Sequence, residues 1–185
     1  MNRRRFRSDD PERKKWQDPE KIFSAIGLEQ GMVFIDPGCG EGYFTLPASR
    51  RVGPGGRVYA FDINPEAVAE LQVQAEAEGL DNIISRVGEA ETTVVCEGCA
   101  DIVFFGINLH DFYDPLQVLK NAQRMLKPSG RLADLDWKAI PMESGPPLEK
   151  RFSTEKARRL IEDAGFTILS VQDAGRCHYL ILAGR

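Results

Sequence analysis

The residues of this 185-residue sequence best suited to chemistry lie in one turn, Asp36-Pro37-Gly38-Cys39-Gly40-Glu41-Gly42. It closes a compact apolar run, residues 32–36, that reads as a strand ending in an acid. Glycines at 38, 40 and 42 permit a tight turn and let a ligand lie against bare backbone. A second acid, Asp62, stands near the end of the next apolar run, 57–63, twenty residues after Gly42. A carboxylate there can accept two hydrogen bonds from ribose hydroxyls, so turn and acid together suggest a ligand containing adenosine.

What is missing narrows the ligand. A dinucleotide fingerprint needs a third glycine where Tyr43 stands, and no Gly-Lys-Ser/Thr triplet of a phosphate loop exists. Asp36 and Glu41 would repel a pyrophosphate and attract a sulfonium or an ammonium. Further candidates follow the most hydrophobic run, 101–107: Asn108, His110 and Asp111. His110 has the intrinsic pKa of a general base and is the candidate catalytic residue; its plain reading is packing beside the ligand, with Asp111 capping the next turn. Asp134 and Asp136 fall on one face of a strand end, where they can bind a cation or serve as hydrogen-bonded structure. Tyr43, Phe112, Tyr113 and Trp137 can form an aromatic wall or pack in the core. Cys96 and Cys99 form a C-x-x-C pair with no second such pair and no H-x₃-H partner. No metal site is expected; two ordinary thiols in a surface turn are.

These residues need a scaffold. Apolar runs at 32–36, 57–63, 83–87, 101–107, 131–137, 167–171 and 178–183 read as seven strands. Between them, 41–52, 64–79, 115–126 and 153–164 read as helices. Asn64 with Pro65 forms a start signal, Ser153 or Thr154 caps the last helix, and Gly79 and Gly165 are terminators. Val68, Leu71, Val73 and Ala75 furnish one apolar side. Residues 127–130 read as a turn, and 139–150 as a long Pro-rich loop of the kind that covers sites. Near-continuous apolar strands alternating with helices give an α/β fold, a mostly parallel sheet with helices on both faces.

Hydrophobic residues make up 42% and charged residues 28%, the proportions of one soluble domain with no membrane span. No secretory signal is read at the start, so the protein is expected to be cytoplasmic. The net charge of −4 is uneven: residues 1–25 carry eight Arg/Lys against five Asp/Glu. An acidic body disfavours non-specific nucleic-acid binding, while the basic arm at Arg3–Arg7 leaves that partner possible.

Taken together, Phe34 to Thr45, Val58 to Ile63, Gly88-Glu89-Ala90, Asp101 to Gly106 and Leu126 to Leu132 resemble the class I S-adenosylmethionine-dependent methyltransferases, in their small-molecule, ubiquinone/menaquinone-biosynthesis-like group. The resemblance covers about residues 20–185 in the family's order. It implies a Rossmann-like sheet of seven mostly parallel strands with an antiparallel last strand, as a single domain at 21–185 behind an arm or lid at 1–20 that includes Trp16. It implies S-adenosylmethionine as cofactor: Asp36, Gly38, Gly40 and Tyr43 around the methionine part, Asp62 on the ribose, Ile63, Glu89 and Ala90 at the adenine, Gly106 and Ile107 near the methionine end. Glu89 departs from the family, which often has Asp there. The expected enzyme methylates a small molecule. An RNA or protein methyltransferase docking through the basic arm, and a non-catalytic cofactor-binding subunit, are the alternatives. The motifs name no acceptor and no oligomeric state.

Overall fold

The computed structural model of the protein describes residue 13 and residues 16–142 and 145–185. The basic arm Arg3–Arg7 lies outside them. Seven strands form one sheet: β1 Val33–Pro37, β2 Arg57–Asp62, β3 Ile83–Val87, β4 Ala100–Gly106, β5 Leu126–Trp137, β6 Thr167–Ala174 and β7 His178–Gly184. Their order is β3-β2-β1-β4-β5-β7-β6. β1 to β5 pair in parallel, and β7 runs antiparallel to both β5 and β6. The expected Rossmann-like fold is therefore present, with β7 the strand that runs against the rest.

Helices α1 Pro19–Ile26, α2 Thr45–Val52 and α3 Pro65–Ala77 cover one face; α4 Pro115–Met125 and α5 Thr154–Asp163 cover the other. On the first face Phe23, Phe34, Phe44 and Phe104 form a ring cluster with centroids 4.9–6.4 Å apart. On the second, Val118, Leu119, Ala122 and Met125 of α4 and Ala157 and Ile161 of α5 bury against Ile35, Val103, Phe105 and Ile181. Asn64 caps α3 and Ser153 caps α5, each accepting a backbone N–H, as expected.

Several expectations are corrected. The helix expected from residue 41 begins at Thr45, because three glycines in the preceding turn adopt positive φ, outside the helical range. Asp114, not Asp111, caps α4. Val73 is exposed, since α3 buries only the stripe Ala67, Val68, Leu71 and Ala75. Residues 127–130 are a bulge inside β5, between the Leu126–Ala100 and Arg131–Ile102 pairings. Cys96 and Cys99 are joined in a disulfide rather than held as two thiols, their Cα atoms 6.0 Å apart in the bend before β4.

Candidate functional site

The strand order reverses between β1 and β4, and the candidate residues collect at the carboxyl ends beside that point. Asp36 is buried at the end of β1 and accepts a hydrogen bond from the Thr45 hydroxyl at 2.6 Å. Burial pushes its carboxyl up to about 7; the nearby Asp62 charge adds to the rise, while Thr45 and Arg13 oppose it. The glycine turn then folds across to β2, where Gly38 and Cys39 donate backbone N–H groups to the Phe61 carbonyl. Asp62 holds the turn from the other side: its Oδ2 accepts the Gly40 N–H at 2.8 Å and its Oδ1 the Asn64 N–H at 2.9 Å.

Two glycines of the turn have different reasons to be glycine. At Gly38 a Cβ would stand 2.6 Å from the Asn108 amide nitrogen, so a side chain would push Asn108 away. At Gly40 nothing lies within 4 Å of where a Cβ would be, and φ is +53°. Among the described residues the Gly40 backbone is therefore uncovered on that side, next to Asp62.

Asn108 is the site residue whose role the sequence did not give. Its amide donates to the carbonyls of Pro37, at 2.7 Å, and Gly38, at 3.0 Å, stapling the turn to the end of β4. Its Oδ1 is buried with no hydrogen-bond partner among the described residues. Ile107, just before it, is the one non-glycine residue with positive φ among those described, at +68°. A β-branched residue resists that conformation, and such strain concentrates at functional sites. Gly106 has no side chain because a Cβ there would meet the Phe44 ring at 2.6 Å.

The other expected ligand residues gather on the same rim. The Gly88 N–H reaches the Asp62 carbonyl, bringing Glu89 and Ala90 beside the end of β2. Glu89 and Ile63 are exposed there, and Ala90 is buried. The Asn121 amide of α4 donates to the carbonyls of Ala90 and Glu91, and the Glu91 carboxylate accepts the N–H of Tyr113 and Asp114, so the segments after β3 and β4 are tied together.

On the far side of Ile107, His110 sits in the short 3₁₀ turn Leu109–Asp111, its side chain 2% exposed. Its Nδ1 lies 2.8 Å from both oxygens of Asp136, which also accepts the N–H of Trp137 at 2.7 Å and of His110 at 3.3 Å. Burial alone would pull the imidazole down. The Asp136 hydrogen bond and charge, with Asp111, outweigh burial and Lys150, and the net shift is upward. The Nε2 atom faces Asp111 at 3.6 Å.

Arg13, Trp16 and Gln17, ahead of α1, pack against Tyr43, Trp137 and His178. The Tyr43 hydroxyl donates to the Gln17 carbonyl at 2.7 Å, and the Arg13 guanidinium lies 3.6 Å from the centroid of the Tyr43 ring. Trp16 packs against Trp137 and His178, and the Gln17 amide meets His178 Nε2 at 3.1 Å. Of the four aromatics considered for a wall, Tyr43 and Trp137 are buried, Phe112 is partly buried on the α4 side of the core, and Tyr113 projects into solvent.

Residues 28–165 match the family described as a methyltransferase domain. The demethylmenaquinone methyltransferase of Lactococcus lactis subsp. lactis is 31% identical over 116 residues, 63% of this chain and 46% of that protein. The nocamycin O-methyltransferase of Saccharothrix syringae is 30% identical over 112 residues, 60% of this chain and 40% of that protein. The chain thus spans less than half the length of these two curated relatives. A crystal structure of a SAM dependent methyltransferase from Aquifex aeolicus superposes with a TM-score of 0.90 at 32% identity, covering 95% of this chain and 93% of that one.

Proposed function

The chain belongs to the S-adenosylmethionine-dependent methyltransferase family, and from that premise we propose that it moves a methyl group from S-adenosylmethionine to a small-molecule acceptor. The observation that carries the reading is the pair of neighbouring carboxyls Asp36 and Asp62 at the glycine turn, where Asp62 holds the Gly40 N–H and no described residue occupies the space a Gly40 side chain would take. Acceptors and carboxylates suit a cationic ligand that also carries ribose hydroxyls. Arg13 supports the fit, because a guanidinium already stacks on Tyr43 and lowers Asp36 from nearby.

In this reading Asp36, Gly38, Gly40, Tyr43, Gly106 and Ile107 border the methionine end. Asp62 takes the ribose, and Ile63, Glu89 and Ala90 flank the adenine. The cofactor supplies the methyl group on a positively charged sulfur. The protein's tasks are to align the acceptor for in-line displacement, exclude water and accept a proton where the acceptor atom carries one. His110 suits the last task, since Asp136 engages Nδ1 and only Asp111, at 3.6 Å, stands by Nε2, the nitrogen that would take the proton. Of the arm at 1–20 expected ahead of the domain at 21–185, the described residues Arg13, Trp16 and Gln17 support a lid role, with Trp16 as the closing contact. The small-molecule assignment follows the names of the relatives. Cytoplasmic residence is part of the same proposal, and in that reducing setting the Cys96–Cys99 pair would be opened to thiols.

Asp62→Ala should weaken S-adenosylmethionine binding at least about tenfold by calorimetry, the loss of roughly one good charge-assisted hydrogen bond. Unchanged affinity would remove Asp62 from the ribose. His110→Ala should lower turnover of a small-molecule acceptor whose accepting atom carries a proton by about 10²-fold or more while cofactor affinity stays within about twofold. Full turnover would dismiss His110 as the base.

A further inference from the structure

His110 rests on Asp136, one of two buried carboxyl groups on β5, and among the described residues only Asp136 receives N–H donors. Asp134 and Asp136 are two residues apart on β5, so both side chains point to the α4–α5 face of the sheet. Both are fully buried. Three N–H groups converge on Asp136: His110 Nδ1, the His110 backbone and the Trp137 backbone. Neither oxygen of Asp134 meets a hydrogen-bond partner among the described residues, and its cross-strand neighbour is Ile181. The Tyr179 hydroxyl, opposite Asp136 in register, faces Asp134 without completing hydrogen-bond geometry.

Two carboxylate charges cannot share this volume, because neighbouring buried anions repel and neither could be solvated. The donors decide which one ionises. We propose that Asp134 and Asp136 divide the work of a single buried charge: Asp136 carries it and fixes the His110 ring with Nδ1–H inward, while Asp134 keeps its proton so that the charge facing His110 stays at one. The direction at Asp134 agrees: burial, then the Asp136 charge, hold it well above the carboxylate range, with Tyr179 pulling back only in part.

The arrangement has a purpose in the proposed reaction, on whose His110 reading it rests. One negative charge lets His110 accept a proton at Nε2. A second carboxylate would raise the imidazole further, away from the range where it both takes up and releases a proton readily. Asp136 and Asp134 are thus positioning residues acting through His110. The other charged groups facing His110 are Asp111 and Lys150, which oppose one another.

The test needs no acceptor. The chain has two histidines, His110 and His178, so ¹⁵N-histidine NMR of the full chain resolves both rings. His110 should be the Nδ1–H tautomer when neutral and should titrate above the ordinary histidine range. Asp136→Asn should lower its midpoint by about 1–3 pH units and mix the tautomers; Asp136→Glu should restore part of the shift. An unmoved midpoint in Asp136→Asn overturns the role of Asp136. The infrared difference between wild type and Asp134→Asn at neutral pH should contain the C=O stretch of a protonated carboxylic acid. An ionised carboxylate band there overturns the division. Calorimetry with S-adenosylmethionine tests cofactor binding separately, and the His110→Ala turnover test reads the base, so the three ideas fail independently.

Discussion

Asp36 is where burial and ligand charge compete. Its carboxyl is lifted to about 7, so the folded protein holds a proton that the unfolded chain has already released. Asp36 therefore favours folding below the unfolded carboxylate pKa of about 4 and loses that contribution as pH rises through 7. Binding of a cationic ligand has the opposite sense, because the ionised carboxylate attracts it. Between pH 6 and 7.5, S-adenosylmethionine affinity should rise by several-fold, at most about tenfold per unit. Asp36→Asn should flatten that rise when both proteins are measured by calorimetry across the same range. An equal slope in the variant would show that another group titrates.

Among the elements, the segment ahead of α1 offers the clearest readout. Both tryptophans of the chain, Trp16 and Trp137, pack there together with His178. Burial, then the charges of Arg13, Lys138 and Arg151, lower His178 to about 4. A histidine with a depressed pKa stabilises the fold fully above its unfolded value near 6.5, and that contribution is lost as pH falls toward and through 4. The span corresponds to about 3 kcal/mol, enough to undock a short segment. Tryptophan fluorescence should change between pH 6.5 and 4 while far-UV circular dichroism holds, and His178→Phe should abolish the step. A step that survives in His178→Phe would assign the undocking elsewhere.

At the same scale, local signals separate from those that depend on the fold. The strands were legible because apolar runs of strand length end in acids or glycines, and the caps Asn64 and Ser153 because a cap is a local signal. The glycine turn and Asp62 were legible as a pair because the spacing between neighbouring strands is short. Asn108 stapling Pro37 across 71 residues, Gln17 meeting His178 across 161 and Asp136 holding His110 were not, since each depends on which strands become neighbours. Strand alternation puts Asp134 and Asp136 on one face, but which one receives the donors is decided by the 3₁₀ turn packed against Asp136. The Cys96–Cys99 bond was missed because pairing depends on the bend geometry and not on the motif.

At the level of the molecule, the sheet has two rims with different work. The carboxyl rim carries Asp36, Asp62, Asn108 and His110. The amino rim carries closures: Asp101 accepts the Val33 N–H and pairs with Lys127, Asn82 donates to the carbonyls of Ser49 and Gly53, and the Cys96–Cys99 bend docks on the end of α4. That bend is already held without the disulfide, because Gly98 and Cys99 donate backbone N–H groups to Arg124 and Met125 and Glu97 pairs with Arg124. Closing so short a loop restricts the unfolded chain little, about 2 kcal/mol at most on the chain-entropy account. Replacing both cysteines by serine should therefore lower Tm by a few degrees and leave S-adenosylmethionine affinity within about twofold. Stability would be read by thermal unfolding and affinity by calorimetry on the same samples. If affinity fell together with Tm, the bend would have to reach the site through α4, whose Asn121 holds Ala90 and Glu91, and the two rims would be one mechanical unit.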